Sequence, residues 1–199
     1  MPIAGPCTFP APGHTVVEVK NCTCLSSHLD AFGRRYADLS LLQEVTCNQQ
    51  QAAIARAELA LNDRQLLCTG TDPNLSNFTV GVGGIANKND SLFFLDPLAP
   101  AFKRAMELDR AALVAFGKGK GSRLTYFYVV YGYTNGSNAP AQAAATCWIF
   151  QAIIDDIQRR PDGAIFIVGD FNANLRDIPS IVHLLDDLQW TDVGAIASQ

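Results

Sequence analysis

The sequence has no long apolar run, no excess of basic charge and no dense cysteine pattern, and each absence removes a class of protein. Continuous apolar stretches such as Ala164 to Val168 are strand-sized, far short of the roughly 18 to 20 residues needed to cross a bilayer. Lysine and arginine together number 15 against 19 aspartates and glutamates, so the chain does not hold nucleic acid by bulk positive charge, although a local basic cluster remains open. The six cysteines, at 7, 22, 24, 47, 68 and 147, are too sparse for a disulfide scaffold and contain no Cys-x-x-Cys; they are expected to be reduced, mostly buried thiols. The proline-rich stretch Met1 to His14 lacks a charged start and an apolar core, so it does not read as a secretory signal, and an intracellular (nuclear or cytoplasmic) protein is expected. Asn-x-Ser/Thr sequons at Asn21, Asn74, Asn77, Asn89 and Asn135 are then accidental. Absent too are a Gly-x-x-x-x-Gly-Lys-Ser/Thr loop, a Gly-x-Ser-x-Gly elbow and a dinucleotide-binding glycine set, which argues against a flavodoxin-like or hydrolase α/β domain.

What is present suits one globular body. A chain of 199 residues with 48% hydrophobic content hides roughly 70% of its unfolded surface and needs no staples. Strands are predicted at Val16 to Cys22, Asp38 to Val45, Gln65 to Cys68, Leu124 to Tyr133 and Ala164 to Val168. The last is apolar between two glycines and reads as buried on both faces. Helices are predicted from caps at Ser26 and Ser27 through Ala37, over Asn48 to Leu61 with Ile54, Leu59 and Leu61 as its larger apolar positions, over Asn138 to Arg160 with Ala144, Trp148, Ile149, Ala152, Ile153 and Ile157 at helical spacing against a core, and over Pro179 to Leu188. Glycines and Asn87-Lys88-Asn89-Asp90 suggest a hairpin region within Phe78 to Leu95. Phe102 to Ala112 is ambiguous: Phe102, Ala105, Met106, Asp109 and Leu113 suit a helix, while Ala111 to Phe116 suits a strand. Residues 1–14 form an irregular leader and residues 15–199 one domain.

Chemistry-bearing residues gather at strand ends. Gly169-Asp170-Phe171-Asn172 follows an apolar strand; in extended chain Asp170 and Asn172 project to one side and Phe171 to the other. A carboxylate there can orient or deprotonate water and an amide can donate to a phosphate oxygen, while the same pair also suits a turn cap. Gln43-Glu44 places a carboxylate after an apolar run, expected either where a cation meets it or where the strand emerges into solvent. Lys20-Asn21 and Tyr131-Gly132-Tyr133 bring an amide and phenols to comparable ends.

In order and spacing these fragments resemble the endonuclease/exonuclease/phosphatase superfamily, the deoxyribonuclease-I-like phosphodiesterases, from Val16 to about Val193. The resemblance implies an α/β fold: a layered sandwich of two packed, mainly antiparallel sheets flanked by helices. It implies that Glu44 ligates Mg²⁺ or Mn²⁺, that Asn21 fixes that carboxylate and its metal, that Asp170 activates the attacking water, and that Asn172 and Tyr131 hold the phosphate. The loop carrying Lys118, Lys120 and Arg123 either meets a phosphate backbone or is a solvated hairpin tip.

The departure from the family pattern is at the C-terminus. An Arg/Ile-Asp-Tyr-like strand and a Ser-Asp-His, whose Asp-His pair completes metal binding and acid–base catalysis, are both absent. His14, His28 and His183 do not follow an acid at a strand end and do not replace it. The expectation is a truncated copy with little or no turnover and an exposed sheet edge. Nucleic acid, DNA before RNA, is the first substrate choice. A phosphoinositide or nucleotide phosphatase, or a non-catalytic remnant or binding domain, is the alternative.

Overall fold

Periodicity changes along this chain from two, at Val17 and Val19, to three and four, at Ala52, Ala55 and Leu59, and the fold follows those changes. The computed structural model describes residues 14–23, 25–33, 37–69, 80–119, 121–134, 139–160 and 163–193. Strands β1 (Val17–Asn21), β2 (Leu39–Thr46), β3 (Arg64–Cys68) and β4 (Val80–Asn87) form one sheet in the order β1-β2-β4-β3. Strands β5 (Ser91–Phe94), β6 (Ala111–Gly117), β7 (Thr125–Tyr131) and β8 (Ala164–Asp170) form the second, in sequence order. Each sheet has one parallel pair, β1–β2 and β7–β8, and is otherwise antiparallel. The sheets pack face to face on Leu39, Leu41, Val82, Ala112, Val114, Val129 and Tyr131.

Helices cover the outer faces. Helix α1 (Leu25–Gly33) and α2 (Gln49–Ala60) bury Leu29, Phe32, Ala52, Ala55 and Leu59 against the first sheet. Helices α3 (Pro100–Glu107), α4 (Pro140–Ile157) and α5 (Pro179–Asp186) bury Phe102, Ile149, Phe150, Ile153 and Leu184 against the second. Asn48 opens α2 with a reciprocal capping box, its side chain accepting from Gln51 N while Gln51 returns the bond, and Pro140 opens α4 at the first turn. Buried Asp156 of α4 accepts from Ala99 N (2.8 Å), Tyr128 Oη (2.7 Å) and Arg160 Nε (2.7 Å), tying α3 to the second sheet.

The sandwich and most strands agree with the sequence reading; five details do not. Asn87 to Asp90 does not close a hairpin. Strand β4 pairs with β2 and β3 while β5 pairs with β6, so that turn passes the chain from one sheet to the other. On α2 the stripe facing the sheet is Ala52, Ala55 and Leu59, leaving Ile54 (49%) and Leu61 (87%) exposed, because small side chains let the helix approach closely. On α4, Ala144 and Trp148 are likewise outside, and Thr146, Phe150 and Ile154 are buried instead. Ser26 and Ser27 lie within the first turn of α1, not before it. Strand β8 is an edge, half exposed, with Phe166 at 41%. Both readings of Phe102 to Phe116 hold in succession, as α3 and then β6.

Among the described residues β1 and β8 are outer strands of their sheets, and they flank an apolar groove of about 1420 Å³, lined by Val17, Val19, Phe127, Phe166, Val168 and Leu188 among others. Among the described residues no helix is long and apolar enough to cross a membrane.

Candidate active site

Parallel pairing makes the strands of each pair end together: Asn21 lies opposite Gln43 on β1–β2, and Tyr131 opposite Asp170 on β7–β8. Packing the sheets brings the two pairs of ends to one mouth. Two hydrogen bonds cross it. Asn21 Nδ2 donates to Asp170 Oδ2 at 3.0 Å, and Tyr131 Oη donates to Glu44 Oε1 at 2.9 Å.

Glu44 reaches the mouth through a fault in the strand. Leu42 and Val45 both belong to the core under α1 and α2, although an odd spacing should place them on opposite faces. A bulge between them absorbs the extra residue, with Glu44 at φ 58°. That left-handed backbone costs a non-glycine residue on the order of 1 kcal/mol or more. In return the carboxylate turns out of the sheet, and Thr23 Oγ1 donates to its Oε2 at 3.3 Å.

Asp170 and Asn172 are set by two close backbone approaches. Gly169 has φ 143°, and a Cβ there would stand 1.9 Å from Val130 O; one on Gly132 would stand 2.1 Å from Phe171 O. Phe171 packs edge-on against Phe150 at 5.0 Å on the helix side. Asn172, at φ 50°, donates its backbone N–H to Asp170 Oδ1 (3.1 Å) and its Nδ2 to Gly132 O (3.1 Å). Turn cap and site residue are thus the same pair of side chains.

Arg110, just before β6, stacks over both Tyr131 (4.9 Å) and Tyr133 (4.6 Å). Burial pushes the Tyr131 phenol above its ordinary range, and its bond to Glu44 and that residue's charge push it further, partly offset by Arg110. Tyr131 therefore stays a neutral donor.

The structure brings Asn21, Glu44, Tyr131, Asp170 and Asn172 together. It directs Asn21 to Asp170 and not to Glu44, whose partners are Tyr131 and Thr23. Lys118 and Arg123 are not brought to this mouth. They stand at the other end of the strands, where Lys118 pairs with Asp38 at 2.9 Å and donates to His14 O, a physical commitment that removes it from the site. Lys120 lies outside the described residues. Thr23 and Arg110 escaped the sequence reading; the only signals for them were a hydroxyl two residues after Asn21 and a lone cation at a strand start. His28 lies in α1, and His183 pairs with Asp187 along α5 (2.6 Å).

Paired carboxylates, an amide and a phenol at the joint end of two packed sheets are accompanied by a sequence match. The model of the endonuclease/exonuclease/phosphatase family matches residues 24–192. The chain belongs to that family. No curated protein matches it, but solved structures of the phosphoesterase fold do. A truncated Caenorhabditis elegans TDP2 shares 14% identity at TM-score 0.51, covering 77% of this chain and 58% of its own. The 3'-5' exonuclease NExo of Neisseria meningitidis shares 17% at 0.53, covering 78% and 57%. The human Nocturnin catalytic domain, solved with sulfate, shares 16% at 0.53, covering 83% and 60%. The chain therefore spans less than two thirds of the length of each of these three structures.

The oxygen donors of this family member suit a hard divalent cation. Among the described residues no three His, Cys, Asp or Glu side chains gather to hold a metal by themselves. Mg²⁺ does not require that, since it keeps several waters and takes one or two carboxylates plus substrate oxygens. Glu44 supplies such a carboxylate, and Asn21, donating through Nδ2, leaves its Oδ1 as an acceptor beside Asp170.

Proposed function

We propose that this chain is a divalent-metal-dependent hydrolase of nucleic-acid phosphodiester bonds, with DNA as the first substrate class. The observation that carries the reading is the pair of side-chain bonds that cross the mouth, Asn21 to Asp170 and Tyr131 to Glu44, by which each sheet supplies one carboxylate held by a neutral donor. Glu44, with Asn21, would hold Mg²⁺ or Mn²⁺, which when bound neutralises charge on the phosphate. Asp170 sits where it can orient a water and take its proton as the water oxygen attacks phosphorus and the bond to the leaving oxygen breaks. Its bonds from Asn21 and Asn172 fix that carboxylate before substrate arrives. Tyr131 and the Asn172 amide would donate to the phosphate oxygens, and Arg110 adds the positive charge an anionic ester needs. Nucleic acid is favoured over a phosphoinositide by two neighbours of similar fold: NExo is an exonuclease, and a Danio rerio TDP2 was solved with a single-strand DNA product.

A second reading rests on the absence of any histidine from the mouth among the described residues. A domain without an acid–base imidazole would bind phosphate esters and turn them over slowly or not at all. Supercoiled plasmid incubated with Mg²⁺, Mn²⁺ or EDTA separates the two. Hydrolysis predicts metal-dependent nicking, stopped by EDTA and lowered at least about 100-fold by Glu44→Gln without loss of fold. Folded protein that binds DNA but leaves the plasmid intact under every condition supports the binding domain.

A further inference from the structure

Glu44 is held by two hydroxyls that come from opposite sides of the mouth. Tyr131, ending β7 in the second sheet, donates to Oε1 at 2.9 Å, and Thr23, in the link between β1 and α1, donates to Oε2 at 3.3 Å. The first sheet carries Thr23 to that place. Parallel pairing sets Asn21 opposite Gln43, and a further rung, Cys22 N to Gln43 O at 2.8 Å, extends the pairing to the residue before Thr23. Cys22 is buried and Thr23 exposed, so the hydroxyl stands on the open side, where the bulge turns Glu44 out.

A hydroxyl has one proton to give. Tyr131 gives its proton to Glu44, yet the hydrolysis proposed for this mouth asks the same phenol to donate to a phosphate oxygen. It cannot do both. Once the phenol turns to substrate, Oε1 loses its donor, and Thr23 is the side-chain donor that the carboxylate keeps among the described residues. The backbone of Glu44 does not take over, because a φ of 58° sets where the side chain starts and not where its oxygens end. A half-buried glutamate keeps its rotamer freedom unless its oxygens are held.

We propose that Thr23 is the positioning residue that keeps the Glu44 carboxylate aimed at its cation while Tyr131 serves the phosphate. The inference rests on Glu44 holding a divalent cation. Thr23 acts through Glu44 and touches neither the cation nor the substrate. A carboxylate has about four lone-pair sites, so one hydroxyl donor leaves room for the cation. Hydrogen bonds of catalytic groups are commonly long in a free protein and shorten in the complex, and the Thr23 bond tightens in this way as Oε1 comes free.

The test is Mn²⁺ binding by calorimetry, with chemical denaturation of each protein, in the parent chain, Glu44→Gln, Thr23→Val, Thr23→Ser, Tyr131→Phe and Thr23→Val/Tyr131→Phe. Tyr131→Phe imitates the phenol that has turned away. Thr23→Val should weaken Mn²⁺ binding slightly while Tyr131 still holds Oε1, and about 10-fold or more in the Tyr131→Phe background, as for loss of an outer-shell partner. Thr23→Ser should bind as the parent does, and denaturation midpoints should stay level across the Thr23 variants. Equal losses from Thr23→Val in the two backgrounds would overturn the role of Thr23 and leave Glu44 as a ligand. So would a serine variant no better than the valine one, or a midpoint that falls in step with affinity. Mn²⁺ bound equally by the parent and Glu44→Gln, or by neither, overturns instead the assignment of the cation to Glu44, and the role of Thr23 with it.

Discussion

Tyr131 holds the mouth by a single hydroxyl. Its bond to Glu44 spans the two sheets, and burial keeps the phenol protonated beyond the usual range. Tyr128, buried beside Asp156, is raised for the same reason. A group whose pKa is higher folded than unfolded contributes stability below the unfolded value, and that contribution disappears as pH climbs from the unfolded towards the folded value. Unfolded tyrosine titrates near pH 10, so denaturant midpoints should be level below about pH 9 and fall above about 10. Tyr131→Phe and Tyr128→Phe should each flatten that alkaline decline, and an unchanged slope in both would contradict the assignment. Residue types at the site were legible in the sequence because Asn21, Tyr131 and Asp170 end strands, Asn172 follows one and Glu44 closes the apolar run of β2. Who bonds to whom was not, since Asn21 choosing Asp170 over Glu44 depends on how two separate sheets meet. Thr23 and Arg110 carry only weak local signatures, a hydroxyl near Asn21 and a lone cation before β6.

At the scale of elements, β7 and β8 pair because Gly169 lets one backbone approach the other. Gly169→Ala would place a methyl 1.9 Å from Val130 O at φ 143°, so the strand end must shift. We expect a loss of about 3 kcal/mol or more in chemical denaturation; a change below about 1 kcal/mol would show that the strand end yields freely. Periodicity located the strands and helices well, for it reports which face is buried. It failed where burial is decided by a neighbour far away in sequence. Asn87 to Asp90 has turn chemistry, yet β4 and β5 find partners in different sheets. The apolar run at Ala164 to Val168 reads as a central strand, yet nothing among the described residues covers its outer edge. Ile54 and Leu61 are larger than Ala52 and Ala55 but face away, because α2 is seated by its smallest side chains.

Among the described residues the molecule presents two strand edges beside an open apolar groove, with Val17, Val19, Phe166 and Leu188 each more than a third exposed. Unpaired edges next to apolar surface promote pairing with another chain. The 199-residue protein should therefore self-associate, its sedimentation coefficient rising with concentration. Phe166→Lys should return it towards the monomer. A coefficient independent of concentration in the parent protein would refute this.

Glu44 belongs to one sheet and Asp170 to the other, and the side-chain bonds across the mouth are those of Asn21 and Tyr131. The gap between the carboxylates is thus set by the thickness of the layer between the sheets, at residues such as Ala112, Val82 and Val129 that never approach a substrate. The middle layer works as a caliper. A methylene added or removed there is felt as a change in spacing at the mouth, so the proposed chemistry would be tuned as much by the least reactive residues of the chain as by its carboxylates.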